Sequence, residues 1–391
     1  MTIQTVLRGT ILTPTQIIED GALVIADGTI HHVGTRDTMD VPRDAQVIDA
    51  RDAVIAPGLI DLHTYGCLGV AITSPERAAD ELAMFSRNVA RFGVTRFLIS
   101  PTMGERAFIA RTLSALAAAI PNIREGARPL GIHLEGPWLD PEQRGAFPHA
   151  VLHAPTLDEA REYVQAARGW LRVVTLAGNL PNAFAVARFL RAHNVRVSFG
   201  HSNSAYEFAR DALASGAFDL VTHVYNAMSG LHHRKPGVLG AVLSSDDMLG
   251  MLICDGIHAH PAAVKILVRA LGLERVILVT DAIPGGGMTD GAFTMLNQTA
   301  RIVDGVARLE DGTIAGSILT LNRAVMNVRA FAQIALNDAL KLATENPARA
   351  LGLTNLGALA PGMDADVIVM RASGEIALTI VAGEIVFDAR D

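Results

Sequence analysis

The chain has 391 residues, a formal net charge of −7 and a hydrophobic content of 50%, whereas aromatic residues make up only 5%. This acidic balance excludes a general attraction for nucleic acid or for an anionic membrane, although a local basic pocket can still bind an anion. A core built from small aliphatic side chains favours layers of strands and helices, which indicates an α/β protein.

The two ends of the chain share a sequence pattern that the middle lacks. Short apolar runs separated by turn signals fill residues 1–56, and the same pattern returns over 358–391. We therefore expect one small β-sandwich domain built from both chain ends. Residues 57–357 would form the second domain.

The middle of the chain alternates short apolar strands with longer helical segments, which is typical of βα units around a parallel sheet. Helices are predicted at 76–92, 105–119, 157–168, 181–193, 205–215, 261–271, 322–335 and 337–346, the last ending before Pro347. Eight strands are predicted, and they begin at Leu59, Val94, Leu130, Arg172, Arg196, Leu220, Met251 and Val276.

Eight such units in about 300 residues match a (β/α)₈ TIM-like barrel, whose chemistry lies at the carboxyl ends of its strands. A doubly wound sheet is the alternative architecture. It usually carries a Gly-rich phosphate turn after its first strand, and no GxGxxG motif opens a helix in this sequence.

Two histidines and a glutamate follow this strand-end rule. His201 and His223 each end a strand on either side of one predicted helix, and Glu135 ends another strand. Neighbouring parallel strands bring such ends into one space. One carboxylate and two imidazoles suit Zn²⁺ or Fe²⁺ and leave positions open for water and substrate, so the sequence predicts a catalytic metal site.

Other strand ends and loops at the same face offer acid–base and cationic groups. Asp281 follows the last strand, where a carboxylate beside an activated water can act as general base. Arg234 and His258 lie on loops after the sixth and seventh strands and could bind an anionic substrate. His63, at the end of the first strand, has no assigned role.

Several motifs of the chain resemble the amidohydrolase superfamily and, within it, the N-acetylglucosamine-6-phosphate deacetylases. The segments that carry the resemblance are PGLIDLH from 57, HLEGPWL from 133, GHSNSAY from 200, THVYNAMSGLHHRKPG from 222, DGIHAHP from 255, VTDA from 279, GSILTLNRAV from 316 and NPARALGL from 346. Together these segments extend over nearly the whole chain.

The resemblance implies a reaction and a set of roles. It implies hydrolysis of the N-acetyl group of N-acetyl-D-glucosamine 6-phosphate to glucosamine 6-phosphate and acetate, in a homodimer. It also implies the role of each site residue: Glu135, His201 and His223 as metal ligands, Asp281 as the acid/base, and Asn226, Ala227, Arg234 and His258 as contacts to the sugar phosphate.

Three departures from the family pattern bear on the chemistry. Two-metal amidohydrolases begin the barrel with His-x-His, whereas this chain has His63 followed by Tyr65. We therefore expect a single divalent ion, with Zn²⁺ favoured and Fe, Co or Mn as alternatives. The loop histidine that polarises the acetyl carbonyl in the family is replaced by Phe147, and His149, two residues further on, could take over that role. Asn179 stands where the family has a glutamate.

Two alternatives stay open, and the departure at Phe147 favours the first of them. One is a deacylase of another N-acyl amino-sugar phosphate, such as N-acetylgalactosamine 6-phosphate, or of another N-acyl compound. The other is a sugar-phosphate binder without turnover. The three lysines, Lys235, Lys265 and Lys341, do not lie on the fourth strand, which argues against two-metal relatives that use a carboxylated lysine there.

The sequence also predicts where the protein works. We find no basic segment followed by a long apolar run, and the two cysteines, Cys67 and Cys254, are too few for a disulfide framework. A cytoplasmic enzyme with no membrane or nucleic-acid partner is the expectation.

Overall fold

The computed structural model describes residues 3–38, 45–295, 298–310 and 314–390. Its strands are Ile3–Leu12 (β1), Ile17–Ala26 (β2), Thr29–Thr35 (β3), Gln46–Pro57 (β4), Leu59–Thr64 (β5), Gly66–Cys67 (β6), Val70–Ala71 (β7), Val94–Ile99 (β8), Arg128–Glu135 (β9), Leu171–Leu176 (β10), Arg196–Phe199 (β11), Leu220–Val221 (β12), Leu249–Ile253 (β13), Val276–Val279 (β14), Gly291–Met295 (β15), Gln298–Val303 (β16), Val306–Leu309 (β17), Ile314–Gly316 (β18), Val367–Arg371 (β19), Ile376–Val381 (β20) and Glu384–Asp388 (β21).

The α-helices of the described residues are Ala78–Ala90 (α1), Arg106–Ala119 (α2), Leu157–Ala167 (α3), Ala183–Ala192 (α4), Tyr206–Ala214 (α5), Gly237–Leu243 (α6), Pro261–Leu271 (α7), Leu321–Ala332 (α8), Leu336–Lys341 (α9) and Glu345–Ala350 (α10). Within the same residues, no helix combines the length and the hydrophobicity that crossing a membrane requires.

An eight-stranded parallel sheet in the order β14-β13-β12-β11-β10-β9-β8-β5 forms the barrel. The first and last strands meet where the backbone N–H of Asp281 donates to the carbonyl of His63 at 2.8 Å. Every residue of β5 and of β14 is buried, as expected for strands enclosed by helices on the outside and by packed side chains within. The predicted (β/α)₈ barrel and all eight of its strands are confirmed.

A seven-stranded sheet joins the two chain ends in the order β21-β20-β19-β4-β1-β2-β3. β19 pairs antiparallel with β4, with Val367 opposite Pro57. Buried aliphatic side chains from both ends, among them Leu23 and Leu378, form its separate core. The predicted β unit built from both ends is confirmed, whereas the exact domain boundaries at 56/57 and 357/358 stay a prediction.

Arg96, in barrel strand β8, connects the barrel to this terminal sheet. Its Nε lies 2.6 Å from Oδ2 of Asp366, and its Nη2 lies 3.2 Å from Oδ2 of Asp364. Asp366 is only 4% exposed. A buried carboxylate left without this partner would be strongly destabilising, so the pair ties the two units together.

The fold differs from the pattern read in the sequence in the short helix α6 and the two-residue strands β6 and β7, which were not predicted, and in two longer stretches. The segment 291–316 forms an antiparallel four-stranded sheet, β15 to β18, which the sequence analysis did not predict. The predicted helix 337–346 was wrong, because α9 ends at Lys341 and α10 contains Pro347. Pro347 lies in the first turn of α10, where its missing N–H would have no helical partner anyway.

Candidate active site

Three predicted ligands meet at the carboxyl ends of neighbouring strands. Glu135 is the last residue of β9, and His201 and His223 each follow their strand by two residues. Oε1 of Glu135 lies 3.0 Å from Nε2 of His201 and 2.9 Å from Nε2 of His223, and the two Nε2 atoms are 3.0 Å apart. All three side chains are buried. The structure thus brings these three donor atoms to one point.

The protonation pattern of this cluster fits a metal ion. Nδ1 of His201 lies 2.7 Å from the carbonyl oxygen of Gln143 and must donate to it, which leaves an electron pair on Nε2. Burial opposes ionisation of Glu135, but His63, His201 and His223 hold its pKa well below the ordinary range. Donor atoms around a tetrahedral ion lie roughly 3.3–3.6 Å apart, close to the observed spacing, so the residues fit a divalent ion.

The second oxygen of Glu135 is held from the other side. The hydroxyl of Tyr65 donates to Oε2, and Nε2 of His63 lies 3.3 Å from the same oxygen. Burial and the carboxylates of Glu135 and Asp281 raise the pKa of Tyr65 well above its ordinary value, so the phenol stays protonated. Tyr65 therefore orients Glu135 with Oε1 towards the histidines. The sequence offered no signal for this contact.

Asp281 is the second carboxylate beside Nε2 of His63. Its Oδ1 is 3.5 Å from Nε2 of His63, and one oxygen of each of Glu135 and Asp281 and a ring nitrogen of His63 all lie within 4.8 Å of one another. Burial raises the pKa of Asp281, and the neighbouring Glu135 raises it further, while His63 opposes the shift. Its side chain is 20% exposed. The carboxylate can therefore exchange a proton with a molecule bound at the cluster.

The backbone is strained where these side chains leave their strands. His201, His223 and Asp281 have φ angles of +50°, +26° and +46°. Left-handed conformations of non-glycine residues cost about 1–3 kcal/mol each and cluster at functional sites. Three such residues around one cluster indicate that the fold tolerates a strained backbone here in order to place these side chains.

A buried polar network below the cluster fixes the inner face of the barrel. His133 donates from Nδ1 to the carbonyl of Leu62 at 2.8 Å and accepts at Nε2 from the hydroxyl of Thr175 at 2.8 Å. That hydroxyl also lies 2.7 Å from the hydroxyl of Thr222, next to His223. Burial and the nearby His63 hold the pKa of His133 well below its ordinary value, so its ring is neutral. The sequence analysis missed this network.

Asn179 belongs to a second network, around His201. Its amide donates to Oδ2 of Asp140 at 2.7 Å, and its oxygen accepts from the hydroxyl of Ser202 at 2.7 Å. The backbone N–H of Asp140 in turn donates to the carbonyl of His201 at 3.0 Å. The departure at position 179 thus acquires a structural role, because an amide can bridge a carboxylate and a hydroxyl, whereas a glutamate beside Asp140 would repel it.

Phe147 contacts the cluster, but His149 does not. The Phe147 ring stands edge-on to the ring of His201, with centroids 5.7 Å apart. The guanidinium of Arg144 donates to the carbonyl of Phe147 at 2.7 Å and fixes this loop. His149 is exposed in the 3₁₀ turn His149–Val151, and no contact within the described chain joins its ring to the cluster.

The predicted substrate residues lie on loops beside the cluster. The amide of Asn226 donates to the carbonyl of His223 at 3.3 Å, and Ala227 has a φ of +49°. Nδ1 of His258 lies 2.5 Å from Oδ2 of Asp255; burial opposes protonation, but this carboxylate raises the pKa of His258. Arg234 is exposed, and no contact in the described residues joins its guanidinium to the cluster.

A cavity of about 600 Å³ opens beside His258, between the start of α8 and the four-stranded sheet. Its lining includes Asp255, Leu319 and Arg323. A volume of this order is typical of sites for small molecules. The cavity therefore has room for a small molecule beside His258.

Comparison with known proteins gives a consistent result. The model of the Amidohydrolase family matches residues 54–386. The chain is 34% identical over 385 residues to the N-acetylglucosamine-6-phosphate deacetylase of Bacillus subtilis (strain 168), covering 97% of this chain and 96% of that protein. It is also 34% identical over 376 residues to the N-acetylgalactosamine-6-phosphate deacetylase of Escherichia coli O157:H7, covering 96% of this chain and 97% of the relative.

A solved structure agrees with these relatives. The chain resembles a mutant N-acetyl-D-glucosamine-6-phosphate deacetylase of Mycobacterium smegmatis in complex with N-acetyl-D-glucosamine-6-phosphate, with a TM-score of 0.90 and 30% identity. The match covers 98% of this chain and 100% of that one. The structural match and the sequence matches therefore both extend over nearly the whole chain.

Proposed function

Because this chain belongs to the amidohydrolase family, we propose that it hydrolyses the N-acetyl amide of N-acetyl-D-glucosamine 6-phosphate to give glucosamine 6-phosphate and acetate. The observation that carries the proposal is the convergence of Glu135, His201 and His223 on one point, with Asp281 beside it. The relatives with the corresponding names and the substrate-bound neighbour support the choice of substrate.

The metal centre in this proposal has one ion. Glu135 Oε1 and the Nε2 atoms of His201 and His223 would hold it, with Zn²⁺ favoured and Fe, Co or Mn as alternatives. When bound, the ion supplies Lewis acidity that polarises the amide carbonyl and makes water a stronger acid. Tyr65 stands where a second metal site would need a neutral imidazole, and its hydroxyl is already bonded to Glu135. This arrangement supports a single ion.

Asp281 performs the proton transfers of the reaction. Its carboxylate accepts a proton from the attacking water as the water adds to the acetyl carbon. The same carboxyl group then returns the proton to the amide nitrogen as the carbon–nitrogen bond breaks, because an amine leaves far more easily than its anion. The pKa of Asp281, raised by burial, makes it a stronger base than an exposed aspartate.

Recognition of the sugar phosphate falls to the loops. Asn226 and Ala227 would contact the sugar from the His223 side, and His258, held by Asp255, would contact it from the other. Arg234 is exposed on its loop, which supports donation of its guanidinium to the site of a second subunit in a homodimer. Its planar fork suits a phosphate.

The remaining expectation concerns location. Both cysteines are buried and free, a state that supports the proposal of a reducing, cytoplasmic environment. The acidic net charge of −7 supports small-molecule rather than nucleic-acid partners.

A second substrate has specific support. One relative of equal identity is an N-acetylgalactosamine-6-phosphate deacetylase, and Phe147 contacts His201 with a ring that cannot donate a hydrogen bond to an acyl oxygen. The galactosamine epimer is therefore the alternative to be tested beside the main proposal.

The test measures acetate release by the Zn²⁺-loaded protein from both epimers, with and without the 6-phosphate. We expect the highest kcat/KM for N-acetylglucosamine 6-phosphate. A preference for the galactosamine epimer would replace the main substrate by the alternative, and binding of either sugar phosphate without release of acetate would overturn the proposal of catalysis.

A further inference from the structure

A basic cavity lies at the amino ends of the barrel strands, away from the cluster at their carboxyl ends. It has a volume of about 820 Å³, and its lining includes four arginines, Arg172, Arg188, Arg191 and Arg196, with a single carboxylate, Asp219. The protein as a whole carries a net charge of −7. Positive charge is therefore concentrated here against the general balance of the chain.

The arginines reach this cavity from three elements. Arg172 is the second residue of β10, Arg196 is the first residue of β11, and Arg188 and Arg191 lie on α4 between these two strands. The fold therefore brings the four arginines to one cavity, with Arg188 and Arg191 exposed at its edge and Arg172 and Arg196 half-buried.

Asp219 is fully used by two of the four arginines. Its Oδ2 lies 3.1 Å from Nε of Arg191 and accepts from the backbone N–H of Val197 at 2.9 Å, while its Oδ1 lies 3.3 Å from Nη1 of Arg196. This carboxylate is 13% exposed. It stabilises those two cations and has no further oxygen to offer.

The other two arginines of the cavity, Arg172 and Arg188, differ from this pair. Within residues 3–38, 45–295, 298–310 and 314–390, neither Arg172 nor Arg188 has a hydrogen bond or a carboxylate neighbour. Arg172 is half-buried, and its burial together with the neighbouring Arg196 lowers its pKa. A desolvated guanidinium beside another cation is unfavourable unless an anion compensates it.

We propose that this cavity binds a small phosphorylated molecule, whose phosphate oxygens are held by Arg172 and Arg188. Guanidinium forks match phosphate geometry and give the strongest hydrogen bonds to it. The cavity volume lies in the range of about 300–1,000 Å³ that small-molecule sites occupy. This site is separate from the proposed sugar-phosphate contacts of Asn226, Arg234 and His258, and the inference does not depend on the proposed function.

The experiment uses the full-length Zn²⁺-loaded protein and inorganic phosphate as the probe. Binding is followed by calorimetry and by the thermal unfolding midpoint, with sodium chloride matching the ionic strength in every sample. We expect phosphate to raise the midpoint of the wild type, and we expect Arg172→Gln/Arg188→Gln to weaken phosphate binding at this site by about tenfold or more.

Two further variants separate this site from other causes. Arg161→Gln/Arg210→Gln removes the same charge from exposed helix positions that are 52% and 55% exposed, and it should respond to phosphate like the wild type. Arg234→Gln, which removes a proposed contact to the sugar phosphate, should keep the part of the phosphate response that Arg172→Gln/Arg188→Gln loses, because its loop lies at the other end of the barrel.

The outcomes decide the proposal in both directions. Loss of the phosphate response only in Arg172→Gln/Arg188→Gln, with acetate release unchanged, supports it. An equal phosphate response in this variant and in the wild type overturns it. A response to poly-glutamate but not to phosphate also overturns it, in favour of an acidic protein segment as the occupant.

Discussion

The two ends of the barrel are organised in opposite ways. At the carboxyl end, Glu135 is surrounded by three imidazoles and a phenol, and each of its oxygens has a defined neighbour. At the amino end, Arg172 and Arg188 line a cavity whose carboxylate, Asp219, is paired with Arg191 and Arg196. The carboxyl end holds its charged groups in fixed positions around Glu135, whereas the amino end has an excess of positive charge.

This difference indicates what each end can do. Preorganised dipoles and carboxylates around one point suit bond making and breaking, because little reorganisation is needed during the reaction. An excess of guanidinium groups suits binding without chemistry. Variants at the carboxyl end should therefore change turnover, and variants elsewhere in the molecule should change only binding or stability.

The largest effect is expected for Asp281→Asn. The amide cannot accept the proton of the attacking water, so kcat for acetate release should fall by about 10²–10⁴-fold. Bound metal, measured by elemental analysis, should be unchanged. Asp290→Asn, at an exposed position further along the same segment, should retain wild-type turnover, and an Asp281→Asn protein as active as the wild type would remove Asp281 from the mechanism.

Phe147→His tests the carboxyl end by adding a donor. A histidine at this position beside His201 can hydrogen-bond the acyl oxygen, and one such donor is worth roughly 10²–10³ in kcat. We therefore expect faster release of acetate from N-acetylglucosamine 6-phosphate. Phe147→Leu removes the ring without adding a donor and should show no gain; equal rates for both variants would indicate that position 147 does not face the acyl group.

Much of the carboxyl end could be predicted because strand ends are readable in a sequence. Glu135, His201 and His223 end predicted parallel strands, and parallel strands bring their ends together. The contact of Tyr65 with Glu135, the bridge from Asn179 to Asp140 and the arginine cavity depend on how side chains from distant segments meet. A local sequence pattern cannot predict contacts between side chains that are distant in the sequence.

The sheet of β15 to β18 escaped prediction for a different reason. Its strands are short, and they lie between the last predicted barrel strand and the helix predicted at 322–335, in a stretch for which the sequence predicted no element. The helix end predicted before Pro347 was wrong because proline ends a helix when it is interior but is well tolerated in a first turn.

Tyr65→Phe should have an intermediate effect. Loss of the hydroxyl frees Oε2 of Glu135, and removal of a partner that orients a ligand costs about 10–100-fold in metal affinity. Competition with a chelator measures this affinity, and saturating Zn²⁺ should restore much of the turnover. Tyr206→Phe, whose hydroxyl contacts Ser244 on the outer helices, is the control, and equal metal affinity in both variants would contradict a role for Tyr65.

Arg96→Ala should change stability alone. It leaves the buried Asp366 without its partner, so the free energy of unfolding should fall by about 3–5 kcal/mol, measured by urea denaturation. Arg161→Ala, which breaks an exposed pair with Asp158, should cost at most about 1 kcal/mol. Equal losses in the two variants would show that the junction between barrel and terminal sheet is not held by this pair.

The most direct test of the metal centre is anomalous X-ray scattering from crystals of the Zn²⁺-loaded protein. The account predicts one strong peak bonded to Oε1 of Glu135 and to Nε2 of His201 and His223, at about 2.0–2.2 Å from each. A peak held by other residues, or acetate release that survives complete removal of the ion, would contradict it.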